Sequence, residues 1–134
     1  MLERYPLPPP TEETSRGRNR LSSLAVSPER LAEVDGVLLR LEGDLDISGV
    51  EQLRRTLVEL DQDPPALVVL DLRELEFIDS SGLRVILAAD DAARHGGRRV
   101  ILIPGPQEVQ DVFRTTMLDE RLTFVESPEH LPRG

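Results

Sequence analysis

The chain has 134 residues, a net charge of −9, 39% apolar residues, only 3% aromatic residues and no cysteine. That length suits one domain, whose core must be built from Leu, Val, Ile and Ala. The lack of cysteine excludes disulfides, thiolate metal sites and thiol catalysis, and the acidity argues against nucleic acid or an anionic membrane surface as a partner.

No apolar run approaches a membrane span and no signal-peptide core follows Met1, so a cytoplasmic protein is expected. Residues 1–20 read as a flexible tail. Tyr5-Pro6-Leu7-Pro8-Pro9-Pro10 favours polyproline geometry, and Thr11 to Arg20 is polar without periodicity. Leu21 to Val26 reads as a first strand, and Asp35-Gly36 as a hairpin turn before a strand from Val37 to Leu41. Ser48 and Glu51 have capping-box spacing. Val50, Leu53, Leu57 and Leu60 follow at helical spacing, until Asp63-Pro64-Pro65 ends the helix. Ala66 to Leu72 is almost continuously apolar, as a strand buried on both faces would be.

A second helix is predicted from Ser81 to His95, stopped by Gly96-Gly97. Arg99 to Ile103 reads as another buried strand, which implies a right-handed parallel crossover. Pro104-Gly105-Pro106 breaks the chain before a third helix marked by Val109, Val112 and Phe113. Leu122 to Val125 reads as a last short strand, and residues 127–134 as a frayed tail. The expected architecture is α/β: one domain over residues 21–126, with helices packed on a small mixed sheet.

The chemistry concentrates in Phe77-Ile78-Asp79-Ser80-Ser81-Gly82-Leu83. Two hydroxyls and a carboxylate fall where the chain turns into a helix N-terminus, whose free amides and partial positive charge can hold an anion. A serine there can be a cap, a nucleophile or a phosphorylation site. Three polar residues exceed what one cap needs. Gly82 lowers helix propensity by roughly 1 kcal/mol in the first turn, which suggests room for a phosphate or another chain. A hydrolase reading is weak. There is no G-x-S-x-G elbow, and His95 lies about 20 Å from Ser81 along the helix. Asp44, Asp46 and Asp79 could gather around Mg²⁺, but a loop with Asp46 bonded to local amides is favoured, and no metal or cofactor is expected. Without lysine there is no Walker-type phosphate loop at Gly105.

From Val37 to about Val125 the chain resembles a STAS domain of the bacterial anti-sigma-factor antagonists. The likeness is carried by Leu41-Glu42-Gly43-Asp44-Leu45-Asp46, by Leu70-Asp71-Leu72 leading to the serine motif, and by Gly96-Gly97 before Arg99 to Ile103. The Pro-rich turn before Val109 to Leu118 fits as well. The resemblance implies a regulatory switch rather than an enzyme. The unphosphorylated form would bind an anti-sigma factor that is itself a serine kinase, and so free a sigma factor. Phosphorylation would end that binding, and a PP2C-type phosphatase would restore it. Ser81 matches the usual acceptor and Ser80 is the alternative. Asp46, Asp79, Ser80, Gly82 and Leu83 fall at the implied partner surface. The same fold also serves as a non-switching scaffold, or as an accessory subunit in regulatory or lipid-transport assemblies. One departure is Met117, which stands where the family usually has glycine.

Overall fold

The computed structural model describes residues 24–131. The tail expected over residues 1–20, and the start of the first expected strand, lie outside that range. Within it, β1 (Leu24–Arg30) and β2 (Gly36–Leu45) form an antiparallel hairpin. Helix α1 (Val50–Leu60) crosses to β3 (Leu67–Ile78), and α2 (Ser80–His95) crosses to β4 (Arg99–Ile103). Both crossovers join parallel neighbours, so the four-stranded mixed sheet has the order β1-β2-β3-β4. Helices α3 (Gln107–Thr115) and α4 (Leu118–Arg121) complete the α/β fold.

The alternation of each strand sorts its side chains between two cores. Leu39, Leu41, Leu70, Leu72 and Leu102 meet Leu53 of α1, Ile86 of α2 and Phe113 of α3 on the helical face. Leu38, Leu67, Val69, Ile101 and Ile103 form a second cluster on the other face. Both faces of the central strands are therefore covered, which is why Ala66 to Leu72 reads as an unbroken apolar run.

Several boundaries differ from those expected. The first strand runs on through Pro28 to Arg30, because β1 is an edge strand and proline there breaks no ladder on its outer side. Strand β3 continues past Leu72 to Ile78, with Leu75 buried between exposed Glu74 and Glu76. Register shifts between Arg40/Glu42 and Gly43/Asp44 re-aim the β2–β3 pairing before the strand ends. The capping box does not form. The N-cap of α1 is Gly49, and the Ser48 hydroxyl donates instead to Asp46 Oδ1 at 2.8 Å. Leu122 to Val125 contributes one parallel bridge, Leu102 to Phe124, rather than a strand. Phe124 there meets Phe113 edge to face at 5.3 Å. Nor are residues 127–131 frayed: Pro128–His130 makes a 3₁₀ turn and Leu131 packs on the second cluster.

Met117 has φ 63° and ψ 18°, the left-handed conformation, between α3 and α4. A side chain costs about 1–2 kcal/mol there, and 63% exposure leaves Met little packing to offset it. Met117→Gly should therefore raise stability by about 1 kcal/mol, read as a higher Tm. An unchanged or lower Tm would mean that Met117 makes compensating contacts.

Asp71 is buried on the second face of the sheet. Burial pushes its carboxyl up. Bonds from Arg73 Nε at 2.9 Å, Arg73 Nη2 at 2.7 Å and Arg73 N at 3.1 Å outweigh that effect, aided by the charge of Arg40. The net result is a carboxyl held below its ordinary value. A depressed folded pKa contributes stability above the unfolded value of about 3.9, and loses it as pH falls through the folded value. Asp71→Asn should cost about 1–2 kcal/mol at pH 7, since both arginines are part-exposed and screened. The Tm gap to wild type should close as pH drops below about 4. A gap independent of pH would contradict the ion pair.

Candidate functional site

Strands β2 and β3 are parallel neighbours and end together, with Leu45 opposite Ile78. Their following loops emerge side by side at the carboxyl end of the sheet, where open α/β folds place ligands. The Asp79 amide donates to the Leu45 carbonyl at 3.3 Å, tying the second loop to the first.

The two loops repeat one device. Asp46 Oδ1 accepts from the amides of Ser48 and Gly49, each at 3.0 Å, ahead of α1. Asp79 Oδ1 accepts from the amides of Ser81 at 2.8 Å and Gly82 at 3.2 Å, and Asp79 is the N-cap of α2. Asp46 is thus bonded to local amides as expected, and each aspartate organises a helix start. The cap of α2 is the aspartate and neither serine. The Ser80 and Ser81 hydroxyls make no hydrogen bond among the described residues. Ser80 is exposed. Ser81 is half-buried and lines a cleft of about 700 Å³ between α1 and α2, together with Ile47, Arg54, Arg84 and Ala88.

Three expectations need correction. Gly82 does not open room for a phosphate or another chain. It is buried, and a Cβ there would lie 2.6 Å from the Leu45 carbonyl oxygen and 2.8 Å from Leu45 Cγ. The glycine lets α2 start in contact with the backbone of β2. The amides of Ser81 and Gly82 are not free for an anion either, because Asp79 already holds them. Leu83 is 6% exposed and belongs to the main core, so it anchors α2 rather than presenting a contact. Of the five residues placed at a partner surface, Ser80 is exposed, Asp46 and Asp79 are half-buried, and Gly82 and Leu83 face inward.

The sequence reading missed two residues here. Phe77 is 50% exposed and Ile47 is 74% exposed, large apolar side chains flanking the serine loop. Phe77 is exposed because the register shifts near the end of β3 break its alternation, so that Leu72, Leu75 and Ile78 turn inward and Phe77 does not. Among the described residues, no helix is long and apolar enough to cross a membrane.

Comparison with known proteins agrees with this geometry. A family model described as "Mlab, STAS domain" matches residues 30–126. BtrV of Bordetella bronchiseptica, assigned as an anti-sigma factor antagonist, is 33% identical over 82 residues, covering 60% of this chain and 71% of BtrV. The fold resembles an anti-sigma factor antagonist from Mycobacterium paratuberculosis with a TM-score of 0.70 at 17% identity, covering 81% of this chain and 90% of that one. It also resembles the anti-sigma factor antagonist SpoIIAA in its unphosphorylated form, with a TM-score of 0.66 at 26% identity, covering 78% and 91% of the two chains. The Bacillus SpoIIAA in its phosphorylated form matches with a TM-score of 0.62 at 25% identity, covering 78% and 95%. With the serine loop, the helix caps and the mixed sheet in place, the chain belongs to the STAS-domain family of anti-sigma-factor antagonists.

Proposed function

We propose that this protein is a cytoplasmic partner switch without turnover of its own. Its unphosphorylated form binds an anti-sigma factor that is a serine kinase, and a sigma factor is released. Phosphorylation of Ser81 ends the binding, and a PP2C-type phosphatase restores it. The observation that carries this reading is the idle Ser81 hydroxyl: Asp79 caps α2, so the fold has no use for that oxygen. Phe77 and Ile47 supply the exposed apolar contacts that a partner interface needs beside it. A phosphoryl group adds about −1.5 to −2 charges at neutral pH. Placed next to Asp79 and Asp46, on a surface that must pack against the kinase, it opposes docking by bulk and by repulsion.

Titrating the unphosphorylated and phosphorylated forms against the anti-sigma kinase by calorimetry tests the proposal. Tight binding of the first form and binding at least tenfold weaker for the second is the expected result. Equal affinities would favour the alternative, a non-switching scaffold or accessory subunit, in which the serine loop is only a docking surface.

A further inference from the structure

A phosphate on Ser81 would find three of the first four amides of the helix already taken. Asp79 Oδ1 holds the amides of Ser81 and Gly82, and the Asp79 carbonyl accepts from Leu83 at 3.1 Å. The dianion would instead stand beside a carboxylate. Like charges at such range resist ionisation unless cations compensate.

We propose that the cleft between α1 and α2 receives the phosphoryl group, with Arg84 as its main counter-charge and Arg54 as the second. This rests on Ser81 being the modified residue. Arg84 follows Ser81 by three positions on α2, so the two side chains are neighbours on one helix face. Both line the cleft, whereas Ser80 does not. Arg84 is exposed and makes no hydrogen bond or ion pair among the described residues, so no internal bond is broken when it turns to a phosphate. Arg54 enters from α1 and is bonded to Glu51, so its recruitment competes with that pair. The charged groups around Ser81 are Asp79 and Arg84 on its own element, Glu51 and Arg54 on α1, and Asp46 in the preceding loop. Arg98 lines the same cleft beyond the C-terminus of α2, where its guanidinium lies 3.5 Å from the Ala92 carbonyl. A guanidinium fork fits phosphate oxygens in pairs, which gives the modified form a defined geometry. Phosphorylation then acts twice: it adds negative charge, and it withdraws Arg84 from any acidic group on the partner.

Phosphoserine installed at position 81 during translation makes the test independent of any kinase. Phosphorus NMR titration reads the second phosphate pKa, which is about 6 for phosphoserine. The full chain should titrate below that value. Arg84→Gln should raise it by roughly 0.5–1 unit, Arg54→Gln by less, and Arg98→Gln not at all. The Arg84 Nε resonance should move on phosphorylation. An unchanged pKa in Arg84→Gln together with an unmoved Nε resonance overturns the assignment. An equal rise in Arg98→Gln overturns it too, by making the effect a general field. Failure of the anti-sigma kinase to modify Ser81 would count against the switch reading alone, and would leave this titration intact.

Discussion

Ser81→Asp should weaken binding to the anti-sigma kinase about 10- to 100-fold, while Ser81→Ala binds like wild type and accepts no phosphate. The two substitutions separate the hydroxyl from the charge. Ser81 Oγ makes no hydrogen bond among the described residues, and its loss costs the fold nothing beyond about 0.5 kcal/mol. Asp79 still caps α2 through the backbone amide of residue 81, which alanine retains. A carboxylate at 81 adds a like charge beside Asp79 and Asp46, on the proposed contact surface that includes exposed Phe77 and Ile47. Losing about 1.4–2.8 kcal/mol there corresponds to that range of affinity. Aspartate copies a dianion with three acceptor oxygens poorly, so the real phosphate should act more strongly. Calorimetric affinities of the three proteins check this. Wild-type affinity in Ser81→Asp would mean that the interface lies elsewhere.

Gly82→Ala should lower stability by about 2 kcal/mol, and Gly82→Val by more. Alanine would ordinarily gain about 1 kcal/mol of helix propensity at this position. The added Cβ instead falls 2.6 Å from the Leu45 carbonyl oxygen, and a backbone atom at the end of a paired strand cannot swing aside. Relief requires α2 to move off β2, which unpacks Leu83 and Ile86 from the main core. For a domain of this size each kcal/mol corresponds to roughly 4–8 °C in Tm, so the alanine variant should melt about 10 °C lower. The helix start should loosen with it, and phosphate incorporation at Ser81 should fall. A melting temperature within two or three degrees of wild type, on the order of 0.5 kcal/mol, would show that the contact is easily relieved.

The sequence carried the elements with strong periodicity. The apolar face of α1 and the unbroken run of β3 announced themselves, because burial on one face or two leaves that pattern. The serine motif could be placed at the start of α2 from its neighbours alone. Its partners could not. The sequence does not say whether Asp79 or a serine caps the helix, since all three residues are good caps and only geometry decides among them. Nor could Gly82 be read correctly. A glycine that admits a ligand and one that admits the chain's own Leu45 carbonyl look identical in one dimension. The extension of β3 to Ile78 was hidden by Arg73, Glu74 and Glu76, charged residues on a strand whose outward positions face water. At the chain end, Leu131 is a single apolar residue in polar company, too little to reveal a segment packed on the second cluster.

The central claim is that Ser81, not Ser80, carries the switch, and phosphopeptide mapping tests it most directly. The full chain is incubated with candidate anti-sigma kinases and ATP, digested, and fragmented by mass spectrometry across residues 78–84. A single phosphate is expected on Ser81 in wild type and in Ser80→Ala, and none in Ser81→Ala. Phosphate on Ser80, or incorporation that survives Ser81→Ala, would contradict it.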